Sequence, residues 1–134
     1  MACQSKNFLD QSLYIHYQLL RFIPHNVRSM ITNNNSALII ENNPIDRKFM
    51  QNTLESWNFN VRAESDTSKV RDHFAMSDFR VILFHLAQDF MKSLDLLGWM
   101  RLQSNGAIIP LIDQGSPVTE EMCIRAGADE VISK

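Results

Sequence analysis

From residue 37 onward, short apolar runs of strand length alternate with stretches of helical periodicity, and this alternation limits the possible folds more than any other feature of the chain. The strand-like runs fall at 38–40, 59–63, 81–84, 108–112 and 131–132, and helical patterns occupy 44–57, 67–76, 90–102 and 117–125. Several runs, such as Val81-Ile-Leu-Phe84 and Ile108-Ile-Pro-Leu-Ile112, are apolar throughout instead of alternating with polar residues. A strand of that kind is buried on both faces, which is the habit of parallel sheets covered by helices on either side. Strand and helix in strict succession give right-handed βαβ units. The expected fold is α/β, a doubly wound five-stranded parallel sheet with four helices between its strands.

Local punctuation supports the boundaries. Asn43-Pro44 sets a capping side chain before a proline suited to a first helical turn, and Ser116-Pro117, with Glu120 nearby, repeats the device. Gly127 after Ala126 is a helix stop that exploits the left-handed freedom of glycine. Upstream, Leu9, Leu13, Tyr17, Leu20 and Ile23 recur at helical spacing over 7–23, with Pro24 discouraging continuation. Residues 25–36, including Asn33-Asn34-Asn35, read as a linker. The organisation expected is an N-terminal helical extension and linker over 1–35, then one α/β domain over 36–134.

With 134 residues the chain has room for a single core. Its 13 basic and 15 acidic side chains give a net charge of -2, which lacks the basic excess of a nucleic-acid binder. No apolar run approaches the roughly 20 residues of a membrane span, and no signal-peptide pattern opens the chain, so a cytoplasmic location is expected. Cys3 and Cys123 lack metal-type spacing and are expected to be reduced thiols. Glycine-rich phosphate loops, Gly-x-Ser-x-Gly, Cys-x-x-Cys and His-Glu-x-x-His are absent, which removes the common enzyme signatures. No enzymatic activity and no cofactor are expected.

Three segments in order carry a family likeness: Leu38-Ile-Ile-Glu-Asn-Asn-Pro-Ile-Asp-Arg47, Arg80-Val-Ile-Leu-Phe-His-Leu86 continuing to Leu94-Asp-Leu-Leu97, and Ala126-Gly-Ala-Asp-Glu-Val-Ile-Ser-Lys134. Over about three quarters of its length the chain resembles a response-regulator receiver domain, the CheY-like family with a flavodoxin-type sheet. The resemblance implies an acidic pair after the first strand that holds magnesium; the matching residues are Glu41 and Asn42. It implies a phospho-accepting aspartate at the end of the third strand, where His85 stands. The hydroxyl residue at the end of the fourth strand corresponds to Ile112, the small residue after it to Asp113, and the rotating aromatic of the last strand to Val131. Proline and glycine of the loop after the acceptor become Asp89 and Ser93, which implies a re-shaped loop.

An imidazole cannot form an acyl phosphate, and a hard cation left with Glu41 alone as its anionic ligand is poorly held. No magnesium is expected. Only Lys134 matches the family residue, and without phosphate its ammonium is expected to pair with Glu41 or Asp113. His85 reads first as a hydrogen-bonded filler tied to Glu41, Asn42 or a backbone group, with metal ligation or pH sensing as alternatives. The resemblance therefore implies a degenerate pseudo-receiver that works by binding another signalling protein or domain, with a small-ligand, metal or pH sensor using the altered pocket and a receiver with atypical phosphorylation as the alternatives. It also implies a fifth helix after the lysine, and the chain stops at Lys134. The stripe Leu9, Leu13, Tyr17 and Leu20 is the candidate to fill that groove, within one chain or exchanged in a homodimer.

Overall fold

A computed structural model describes residues 35–76, 78–86 and 89–133. The elements are β1 (Ser36–Ile40), α1 (Pro44–Ser56), β2 (Asn60–Glu64), a 3-10 turn (Thr67–Lys69) leading into α2 (Val70–Met76), β3 (Val81–His85), α3 (Phe90–Gln103), β4 (Ala107–Ile112), α4 (Glu120–Ala126) and β5 (Ile132–Ser133). The strands form one parallel sheet in the order β2-β1-β3-β4-β5, with Ala37 opposite Val81, His85 opposite Leu111 and Ile112 opposite Ser133. The doubly wound five-stranded fold expected from the alternation is the fold observed. Among the described residues no helix is long and apolar enough to cross a membrane. The extension carrying Leu9, Leu13, Tyr17 and Leu20 lies outside the described residues, as do Cys3 and Lys134.

Each strand sends successive side chains to opposite faces, which divides the core in two. On one face Leu38, Ile82, Phe84 and Ile108 meet Val70 of α2, Leu97 and Met100 of α3 and Cys123 of α4. On the other, Ala37, Ile39, Val81, Leu83, Ile109, Leu111 and Ile132 cluster with Met50 and Leu54 of α1. Leu38, Ile39, Ile82 and Leu83 are fully buried, each side chain stabilising the fold by about 2 kcal/mol relative to exposure. Phe74 stands edge-on to both Phe79 and Trp99, with centroids 5.3 and 5.4 Å apart, and ties the end of α2 to α3.

The caps follow the sequence in one case and depart from it in another. Asn43 caps α1, its side-chain oxygen accepting from the N–H groups of Ile45 and Asp46, with Pro44 in the first turn. Helix α4, however, begins at Glu120 and not at Pro117: Thr119 is its cap and accepts from the Met122 N–H. Ser116 instead accepts from the Val118 N–H two residues on, a local turn that competes with helix initiation. The 67–76 stretch divides because Asp66 caps a 3-10 turn before α2 begins. β5 sits one residue later than expected, at the level where it pairs with Leu111 and Ile112.

Two glycines have steric reasons. Gly127 ends α4 with φ 122°, and a Cβ there would lie 2.8 Å from the Arg101 side chain. Gly106 is placed so closely against β3's entry that a Cβ would fall 2.1 Å from the Phe79 carbonyl oxygen. Arg101 organises this end of the sheet, donating to the Ser104 and Gly106 carbonyls at 2.7 Å and to Asp129 at 2.8 Å. Asp129 in turn accepts from the Ile108 N–H.

Candidate functional site

In open parallel sheets the loops at the strands' carboxyl ends form a crevice where the winding direction reverses. Here that point lies between β1 and β3, which are neighbours in space but lead to α1 and α3 on opposite faces. Glu41 follows β1 directly and is 1% exposed, His85 closes β3, and Asp113 follows β4. A cleft of about 730 Å³ opens beside them, lined in part by Glu41, Asn42, Arg71, His85, Asp89 and Lys92.

His85 bridges two acids. Its Nδ1 lies 2.8 Å from Glu41 Oε1 and its Nε2 lies 2.9 Å from Asp113 Oδ1. Ionised carboxylates only accept, so an imidazole donating from both nitrogens, the protonated form, satisfies both bonds at once. The ring and the Glu41 carboxylate are almost wholly shielded, whereas Asp113 is half exposed. Glu41 is further held by the Asn43 N–H at 3.0 Å, and its carbonyl accepts from Arg47 Nη1 at 2.9 Å. The β1–α1 loop, the capping asparagine and the histidine thus form one connected polar network.

The other positions singled out in the sequence fall around this network in different ways. Asn42 faces solvent. Ile112 ends β4 and belongs to the apolar cluster under α2, α3 and α4, against which Val131 also packs. Neither offers a hydrogen-bonding group to the crevice. Asp89 caps α3 from a left-handed conformation, φ 36°, its side chain accepting from the Lys92 N–H, and Ser93 is buried in the first turn of that helix. Lys134 lies outside the described residues, so its expected pairing with Glu41 or Asp113 has no geometry to report.

The donor set does not fit an octahedral magnesium ion. Of the acids at the crevice, Glu41 has an oxygen committed to both His85 and Asn43, and the imidazole occupies the space between Glu41 and Asp113. Among the described residues no group of three or more His, Cys, Asp and Glu side chains is arranged to hold a metal.

A second histidine–carboxylate contact was not legible in advance. His73 Nε2 of α2 lies 3.0 Å from Glu64 Oε1 at the end of β2, while its buried Nδ1 has no hydrogen-bond partner. Burial works upward on the Glu64 carboxyl, but the His73 bond, the Asp66 and Ser65 N–H groups and the nearby imidazole outweigh it and hold Glu64 below the usual value. Cys123, buried in α4, has its thiol pushed up by desolvation first and by Glu120 second.

No protein-family model matches the sequence, and no curated protein sequence does either. Solved structures do match in fold. A response regulator protein from Burkholderia pseudomallei with a phosphorylated aspartic acid, a calcium ion and citrate superposes with a TM-score of 0.66 at 20% identity, over 74% of this chain and 59% of that one. A CheY-like receiver domain protein from Methanospirillum hungatei JF-1 gives 0.66 at 18% identity, over 76% and 82%. The Vibrio cholerae chemotaxis protein CheY4 gives 0.64 at 19%, over 74% and 85%. The fold is that of response-regulator receiver domains.

Proposed function

We propose that this chain is a pseudo-receiver of a two-component-type signalling protein: a receiver scaffold that takes no phosphoryl group and acts by binding another signalling protein or domain. The observation that carries this reading is His85. It ends β3, where the resemblance puts the acceptor aspartate, and both of its ring nitrogens are engaged by Glu41 and Asp113. A phosphoryl acceptor needs a free carboxylate with cations converging on the transferred group. The arrangement instead sets an imidazole between two carboxylates, and in its protonated form that ring offsets one of their two negative charges without metal. Ile112 and Val131 support the same reading, because apolar side chains in the core cannot move toward a phosphate as a hydroxyl and an exposed aromatic would.

A domain without the switch presents one surface to its partner, so free and bound backbones should differ little. Titrating the protein with magnesium and beryllofluoride, followed by amide chemical shifts, tests this. Shifts confined to noise are expected; a saturable change centred on residues 85–93 and 112–118 would overturn it.

A second reading is favoured by the same triad: a sensor in which protonation of His85, or a ligand in the adjoining cleft, sets the state of the loops. Histidine titrates near neutrality and both its partners are acids, so proton release would leave Glu41 and Asp113 sharing one neutral ring. Titration with transition metals and nucleotides at constant pH separates the two readings.

A further inference from the structure

The cleft beside His85 carries two charged groups that the histidine–carboxylate network does not use. Its volume of about 730 Å³ is that of a metabolite pocket. Ile40 and Leu96 are the only aliphatic side chains in its lining, so an apolar ligand would find little to bury against. The carboxylates of Glu41, Asp66, Asp89 and Asp95 outnumber Arg71, Lys92 and the His85 ring, so a nucleotide or polyphosphate would enter net negative charge. Most of these charges are already engaged within the chain. Glu41 holds His85 and the Asn43 N–H, and Asp66 accepts from the Ser68 N–H. Asp89 accepts from the Lys92 N–H and lies 3.6 Å from the Lys92 ammonium.

Arg71 and Asp95 remain. Arg71 reaches from α2 to lay its guanidinium over the Trp99 ring of α3, 4.4 Å from the centroid. Stacking uses the flat face of the guanidinium and leaves its in-plane N–H donors available; among the described residues they have no acceptor. Asp95 stands four residues before Trp99 on the same face of α3, which brings its carboxylate to the neighbourhood of the stacked cation. Yet the two form no ion pair, and among the described residues Asp95 has no hydrogen-bond partner. An anion and a cation line one polar cleft, side by side and unjoined.

We propose that this cleft takes a free amino acid, with Arg71 binding its carboxylate and Asp95 its ammonium group. The planar guanidinium fork matches a carboxylate in bidentate fashion, and both contacts are charge-assisted. A zwitterion also adds no net charge to a cleft in which acids are in excess. The Ser65, Thr67 and Ser68 hydroxyls of the β2–α2 loop line the same cleft and supply further hydrogen-bonding groups, and its volume leaves room for the ligand's own side chain. The assignment rests on the ligand form of the sensor reading, and it names the class of ligand.

The test titrates the full 134-residue chain with each of the standard amino acids, followed by amide chemical shifts. Saturable shifts in residues 65–71 and 92–96 are expected for at least one of them, with its carboxamide and N-acetyl derivatives binding about ten-fold more weakly or worse. Arg71→Gln and Asp95→Asn should each weaken binding by about ten-fold at an unchanged thermal midpoint, because both side chains are exposed. Equal affinity for the blocked derivatives, shifts confined to other parts of the chain, or unaltered affinity in the two variants would overturn the assignment. Saturable binding of ATP or spermidine in the cleft, with none of the amino acids, would overturn it and leave the ligand-sensor reading standing. No response to any of these probes would overturn both.

Discussion

Replacing His85 with alanine isolates the energetics of the crevice. The Glu41 side chain is fully buried, and removal of the ring takes away the group bonded to its Oε1 at 2.8 Å. Stripping one partner from a buried charged pair typically costs about 3–5 kcal/mol, because the remaining charge keeps its desolvation penalty. The Asn43 N–H still serves Glu41, so the lower end, about 3 kcal/mol, is the expectation for His85→Ala at neutral pH. Asp113 is half exposed, and its bond to Nε2 should be worth less than about 1 kcal/mol. In a Glu41→Gln background the same His85→Ala change should cost only about 1 kcal/mol, since an amide carries no charge to strand. Urea unfolding followed by the fluorescence of Trp57 and Trp99 reads these differences; about 3 kcal/mol lowers the midpoint by roughly 1–3 M. A His85→Ala cost below about 0.5 kcal/mol at neutral pH, or equal costs in the Glu41 and Glu41→Gln backgrounds, would refute the clamp.

Gly106→Ala should destabilise the domain by more than about 2 kcal/mol, read as a thermal midpoint, because its Cβ would overlap the Phe79 and Arg80 carbonyl oxygens and backbone must move. Arg101→Ala should cost about 2–3 kcal/mol and Arg101→Lys nearly as much, since one ammonium cannot serve carbonyls of Ser104, Gly106 and Gly127 together with Asp129. Glu64, with its carboxyl held below the usual value, should contribute stability above about pH 4.5 that disappears as pH falls through its folded-state pKa. Glu64→Gln should therefore flatten that part of the acid limb in a pH series of urea midpoints.

Element order and sheet type were legible because apolar runs without alternation have few other places to go than a doubly covered parallel sheet. The start of α1 was legible for a local reason, an asparagine followed by proline. The start of α4 was not, because Ser116 and Thr119 are both capping residues, and sequence does not say which will spend its oxygen on a turn instead of a helix. At the site, the positions of Glu41 and His85 at strand ends could be read, but the contact between His85 and Asp113 depends on the β3–β4 register, which sets His85 opposite Leu111. The hub at Arg101 escaped notice for a similar reason: its partners lie on the following loop and after α4, and no local pattern joins them. The pairing of Glu64 with His73 joins the end of β2 to α2, nine residues apart, across a 3-10 turn that periodicity did not resolve.

The central claim is that the receiver scaffold no longer carries phosphate, and intact-mass spectrometry tests it most directly. The full chain is incubated with magnesium and excess acetyl phosphate, beside a receiver known to accept phosphate from it. The account predicts an unchanged mass for this chain while the reference protein gains one phosphoryl group. A gain of one phosphoryl group, removed by hydroxylamine as an acyl phosphate would be and mapped to Glu41, Asp89 or Asp113, would contradict it.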